Sequence, residues 1–112
     1  MARGFEYFNG LKDVKEVRFI NCELIDDVAM GKLAYLRPSL ERLQLVFCPT
    51  VTDVGLSYLY LHKNNLKDLY LNYLPMVKDP KLAERLLKEN LPDCKVKLVE
   101  GEANIEEAKK AF

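Results

Sequence analysis

Apolar side chains recur along this chain at a fixed step. Val14, Leu40 and Leu66 lie 26 residues apart, and the same step carries Val17 to Leu43 to Leu69 and Phe19 to Leu45 to Leu71. It carries Cys22 to Cys48 to Leu74, then runs through Ile25, Val51 and Val77, through Asp27, Asp53 and Asp79, and through Met30, Leu56 and Leu82. Seven columns in phase over three copies establish an internal repeat. Each copy reads apolar-x-x-apolar-x-apolar-x-x-(Cys/Leu)-x-x-(Ile/Val)-x-Asp-x-x-apolar.

That spacing follows the grammar of leucine-rich repeats, which run roughly 20–29 residues. The pairs Val17/Phe19, Leu43/Leu45 and Leu69/Leu71 alternate with period two, as short strands with these side chains inward. Parallel strands from successive copies then stack about 4.8 Å apart. The chain turns at the Cys/Leu column, and Ile25, Val51 and Val77 plug the core. Asp27, Asp53 and Asp79 each stand where a side-chain oxygen can cap a helix and suit its positive end. Pro80 follows at a first helical position, where its missing N–H costs little. The predicted helices cover 28–36, 54–62 and 80–90, and Pro92 ends the last. The expected fold is α/β: a short leucine-rich-repeat solenoid, a right-handed βα superhelix with parallel strands on the concave face and helices on the convex face.

The repeats are expected over 14–99, three full and one degenerate. In the fourth, Pro92-Asp-Cys-Lys-Val-Lys-Leu98 echoes the run from Pro38 to Leu45 one residue shorter, with Val96 and Leu98 as its inward pair. Residues 1–13, with Phe5, Tyr7 and Phe8, read as an incomplete N-terminal cap strand. A repeat array needs its end strands covered, so this piece, further sequence upstream or a partner must do so; upstream sequence is the favoured reading. Residues 100–112 have lost the repeat. They read as a C-terminal helix or a frayed end, with Glu106 and Lys110 spaced for a helical ion pair.

The 112 residues suit one domain, and 49% hydrophobic content supplies a core. Lys+Arg and Asp+Glu are both 17, which gives no basic face for nucleic acid. No apolar run approaches a membrane span, leaving peripheral association through partners. Met1-Ala-Arg-Gly is neither a secretory signal nor a transit peptide, so an import address would lie upstream. An odd count of scattered cysteines, Cys22, Cys48 and Cys94, fits a reducing compartment.

Residues that could carry chemistry have plainer readings. Cys22 and Cys48 share a buried turn column, where Cys packs as a small hydrophobe; adjacent rungs would also bring them within disulfide range. Cys94, near the chain end, has no nearby base. The Asp27/Asp53/Asp79 ladder offers too few oxygens for a hard cation beyond what capping explains. His62, the sole histidine, falls near a predicted helix end, where a cation suits the dipole, with no nucleophile placed for it. No phosphate-binding loop is present. The chain therefore reads as a non-enzyme without cofactor or metal.

What remains is the open face of the sheet, since residues between inward positions point to the other side. These are Arg18, Ile20 and Asn21 on the first rung, Arg42, Gln44, Val46 and Phe47 on the second, and Asp68, Tyr70, Asn72 and Tyr73 on the third. Scattered exposed apolar residues are normal. Val46, Phe47, Tyr70 and Tyr73 together, with arginines beside them, instead favour a protein-binding surface.

Several longer motifs carry a family resemblance. Cys48-Pro-Thr-Val-Thr-Asp-Val-Gly-Leu56 looks like the cysteine-containing repeat of F-box leucine-rich proteins. More specific are Gly4-Phe5, Gly10-Leu11, Val17-Arg18-x-x-x-Cys22, Leu66-Lys-x-Leu-Tyr-Leu and Leu74-Pro-x-Val-Lys78. With Leu36-x-x-Ser-Leu-Glu-x-Leu, Cys48-Pro, Asp79-Pro-x-Leu82 and Leu91-Pro-Asp-Cys94-Lys-Val96, the chain from Gly4 to about Val99 resembles a family of mitochondrial leucine-rich-repeat proteins. That family comprises ATP synthase subunit s (coupling factor B) and distal membrane-arm assembly component 2. The resemblance implies a protein on the matrix side of the inner membrane. Its partners would be membrane-arm subunits of respiratory complex I or other assembly factors. An ATP synthase coupling component is the alternative within the family, and a substrate receptor of a ubiquitin ligase the alternative outside it. In that family an N-terminal segment precedes the repeats, and the family supplies no catalytic residues to transfer.

Overall fold

The computed structural model describes residues 14–33, 39–102 and 104–110. Strands β1 (Glu16–Ile20), β2 (Arg42–Val46), β3 (Asp68–Asn72) and β4 (Lys95–Val99) form one parallel sheet in sequence order. Val17 pairs with Leu43, Leu43 with Leu69 and Leu69 with Val96; Phe19, Leu45, Leu71 and Leu98 form the next row. The step of 26 in the sequence is thus the step of the ladder, and β4 joins one residue late without changing which side chains face inward.

One face of the sheet carries the main core. Leu43, Leu45, Leu69 and Leu71 are buried there with Val17 and Val96, while Phe19 and Leu98 pack on it half-buried. Ile25, Val51 and Val77 are buried with them after the strands. The helices α1 (Asp27–Lys32), α2 (Asp53–Ser57) and α3 (Pro80–Asn90) complete this layer through Ala29, Met30, Leu56 and Leu87. The sequence places α3 where it lies. In α1 the regular helix ends at Lys32, and residues 34–36 of the expected helix lie outside the described residues. The expected cap strand over 1–13 also lies outside them.

The second helix departs from expectation: from Tyr58 to His62 it tightens into a 3-10 turn. Gly55, Ser57 and two tyrosines are weak helix formers, and the Ser57 hydroxyl donates back to the Val54 carbonyl at 2.6 Å. A 3-10 turn aligns side chains three apart, which sends Leu59 and His62 inward together and leaves Tyr58 and Leu61 exposed. His62 therefore ends the 3-10 turn with its side chain buried, not facing solvent.

Two of the three expected caps are also displaced by one residue. Asp26 caps α1, its Oδ1 accepting from Ala29 N at 2.8 Å, and Thr52 caps α2, its hydroxyl accepting from Val54 N at 3.2 Å. Asp79 caps α3 as expected, accepting from Leu82 N at 3.1 Å. Displaced from the cap, Asp27 ties the start of α1 to the start of α2. Its Oδ1 accepts from Thr52 N at 2.9 Å and its Oδ2 from the Thr52 hydroxyl at 2.5 Å. Gly55 permits this approach, because a Cβ there would collide with Asp27 Oδ1.

On the other face lies α4 (Ile105–Lys109), capped by Asn104, whose side chain accepts from Glu107 N at 3.0 Å. Ile105–Lys109 of the C-terminal segment is thus helical. Its ion pair joins Glu106 to Lys109 at 3.8 Å, where the sequence suggested Lys110. Ala108 is fully buried against Val46 and Tyr70, with Ile20 and Val99 at the margin, as a small second core.

Candidate protein-binding face

The parallel register sorts the outer face into rows across the sheet. Nearest the strand starts run Glu16, Arg42, Asp68 and Lys95; then Arg18, Gln44, Tyr70 and Lys97; then Ile20, Val46, Asn72 and Val99. The candidate residues share this face but fall into three environments.

The first is a charged margin at the strand starts. Glu16 accepts from Arg18 Nε and Arg42 Nε, both at 2.9 Å, so one carboxylate joins the first two rungs. The Arg42 guanidinium, with Arg18 adding to it, holds the Glu16 carboxyl below its usual range. Asp68 is half-buried beyond them.

The second is covered. Gln44, Val46 and Asn72 are fully buried and Tyr70 is 3% exposed, beneath the chain's own C-terminal segment. Gln44 Nε2 donates to the Ala108 carbonyl at 2.5 Å. Asn72 Nδ2 donates to the carbonyls of Val99 at 3.0 Å and Glu102 at 3.4 Å, and Asn72 Oδ1 accepts from Asn104 N at 2.8 Å. Burial, aided by the charge of Glu107, raises the Tyr70 hydroxyl pKa. The Lys97 ammonium stands 5.9 Å from the Tyr70 ring centroid, within cation–π range. The sheet face that the sequence reads as open is therefore occupied in its middle.

The third remains accessible. Just past the strands, Asn21, Phe47 and Tyr73 adopt positive φ, at 55°, 49° and 56°. This left-handed step lets the chain turn so that Cys48 and Leu74 enter the core while the ladder continues: Asn21 N donates to the Val46 carbonyl at 2.8 Å and Phe47 N to the Asn72 carbonyl at 2.9 Å. Asn tolerates that backbone; for bulky residues it is an outlier. Phe47 and Tyr73 adopt it nonetheless and stack, with ring centroids 4.9 Å apart and planes 14° from parallel. Tyr73 also borders a cleft of about 180 Å³ that includes Leu74, Pro75, Pro80, Glu100 and Gly101.

The sequence columns missed Glu16, Lys97, Asn104 and Ala108. The first two were legible as neighbours of chosen residues in the same strands. The other two belong to a segment without the repeat, where only the helix-start pattern Asn104-Ile-Glu-Glu gave a signal.

The thiols are free: Cys48 is buried, Cys22 and Cys94 half-buried. Burial, with Cys22 nearby, pushes the Cys48 thiol up to about 12; burial, with the Asp68 charge, does the same for Cys94. Among the described residues no three His, Cys, Asp or Glu side chains gather as a metal site, and no helix is long and apolar enough to cross a membrane. No protein-family model matches this chain, and no curated protein matches it.

Proposed function

We propose that the chain is a short leucine-rich-repeat solenoid, a right-handed βα superhelix, and that it binds proteins without catalysing a reaction. In this reading it is an assembly factor for the distal membrane arm of mitochondrial respiratory complex I. It works on the matrix side of the inner membrane, against membrane-arm subunits or other assembly factors. The Phe47–Tyr73 stack carries the protein-binding part. Strained backbone of this kind costs of order 1–3 kcal/mol per residue and gathers at functional sites. Asparagine, which occupies the same column at position 21, takes the conformation more easily. Two accessible aromatic residues there supply rigid contact area of the type enriched at binding hot spots. The complex I assignment draws on the family resemblance of the sequence motifs.

Two experiments test the two parts. Phe47→Ala with Tyr73→Ala should leave the fold intact and reduce co-purification of complex I intermediates at least tenfold; undiminished co-purification removes the stack as the contact. Loss of the protein should deplete assembled complex I on a native gel and spare ATP synthase. The reverse pattern would replace the assembly reading with the coupling one.

A further inference from the structure

The C-terminal segment covers the outer face with an incomplete chemical fit. Gln44 and Tyr70 are 0% and 3% exposed, yet Gln44 Oε1 and the Tyr70 phenolic oxygen have no hydrogen-bond partner among the described residues. The two side chains are register neighbours, so the unsatisfied atoms share one place on the sheet. Buried polar atoms are normally paired, and an unpaired one loses its hydration without return.

Among the described residues the segment's hold on the sheet side chains is small. Its hydrogen bonds to the sheet side chains, among the described residues, are those to Gln44 and Asn72. Its fully buried contribution is one alanine, Ala108, on Val46 and Tyr70. A five-residue helix is far too short to persist without such contacts. Charge supplies the remaining complementarity. The segment carries Glu100, Glu102, Glu106 and Glu107 against Lys109 and Lys110, an acidic balance, while the sheet row beneath runs from Arg18, already held by Glu16, through Gln44 and Tyr70 to Lys97.

We propose that α4 is a displaceable internal occupant of a docking site for a short acidic helical segment of a partner protein. The partner's segment would seat a small residue on Val46 and Tyr70 in place of Ala108. It would offer hydrogen-bonding groups to Gln44 Oε1 and the Tyr70 hydroxyl, and direct its carboxylates toward Lys97. The proposal rests on the protein-binding reading above and adds the partner's chemistry and an intramolecular competitor. Because only the opened chain binds, the apparent dissociation constant rises as the inverse of the opened fraction.

The probe is a fluorescent peptide with the sequence of residues 100–112, titrated into the purified full chain and followed by anisotropy. Ala108→Arg in the chain places a bulky cation where no space exists and evicts α4. The peptide should bind that variant at least tenfold more tightly than the unaltered chain. Peptide carrying Glu106→Lys and Glu107→Lys should lose at least tenfold, and binding should weaken with added salt. Equal affinity for both chains, or no binding to a folded Ala108→Arg chain, overturns the proposal. Hydrogen exchange on the unaltered chain gives a second reading that needs no variant. The amides of Glu107, Ala108 and Lys110 should exchange at least tenfold faster than those of β2 and β3, and exchange in step with those strands overturns the displaceable helix. The peptide assay involves no respiratory complex. Its failure beside intact co-purification sinks the docking site alone; its success without co-purification sinks the assembly reading alone.

Discussion

Gly55→Ala should destabilise this protein, although the same change in an ordinary helix does the opposite. Replacing an interior helix glycine with alanine normally stabilises by about 0.8–1 kcal/mol. Here the new Cβ would collide with Asp27 Oδ1, a short side chain held by Thr52 N at 2.9 Å and by the Thr52 hydroxyl at 2.5 Å. Hydrogen bonds to a charged group contribute roughly 1.5–3 kcal/mol each when sheltered. Asp27 is only half-buried, so about 2 kcal/mol for the pair is the reasonable figure. The net effect of Gly55→Ala is then a loss of about 1 kcal/mol. Asp27→Ala alone should cost about 2 kcal/mol. In that background the obstacle is gone, and what remains near the Cβ is Met30 Cγ at 3.2 Å, on a side chain that adapts readily. Gly55→Ala should then stabilise by about 0.5–1 kcal/mol. Urea unfolding followed by circular dichroism, with linear extrapolation, gives the four free energies of the cycle. The expected coupling is about 2 kcal/mol; additivity within about 0.5 kcal/mol, or a stabilising Gly55→Ala in the unaltered chain, would refute the reasoning. Asp53 occupies the same sequence column but is exposed, so Asp53→Ala should cost no more than about 0.5 kcal/mol.

Two further outcomes follow from burial. Leu45→Asp puts a charge at a fully buried position of a central strand and should abolish the cooperative thermal transition; a retained sharp melt would refute the register. Cys48 and Cys94 ionise near 12 in the folded chain against about 9 for an ordinary thiol. Their contribution to stability is complete below about pH 9 and is lost as pH rises toward 12, because the unfolded chain gives up those protons first. The urea midpoint should therefore fall between pH 9 and 11, and fall less steeply in a Cys94→Ala chain. Identical slopes for the two chains would refute the linkage.

The ladder was legible because burial alone selects its residues: Val17, Leu43, Leu69 and Val96 mark one row, and a one-residue slip would have turned all of them to the other face. The caps were legible only to within a residue. Asp26-Asp27 and Thr52-Asp53 each offer two adjacent side chains able to cap, and the column reports the one that repeats, not the one that caps. The candidate face was legible as a set of positions but not as a surface. Whether Gln44 meets solvent depends on Ala108, 64 residues away, in a segment whose path no local pattern specifies. The Phe47–Tyr73 stack could be anticipated from column spacing, whereas their left-handed backbone was signalled only by Asn21 at the head of the column.

The constant register also fixes how the chain can assemble. Each strand pairing closes a stretch of nearly the same length, 26 residues for the first two and 27 for the last, and loop-closure entropy grows only with the logarithm of that length. No neighbouring pair therefore has an entropic head start, and the order of assembly is left to side-chain burial. On burial alone the β2–β3 pair is expected to lead, since Leu43, Leu45, Leu69 and Leu71 are all no more than 1% exposed, whereas Phe19 of β1 remains half-buried. Growth outward from the middle is the expected order, with the 64-residue crossing of α4 back to Gln44 expected to close last, over a floor already built; mutational changes in folding rate at Leu43, Leu69 and Ala108 check it.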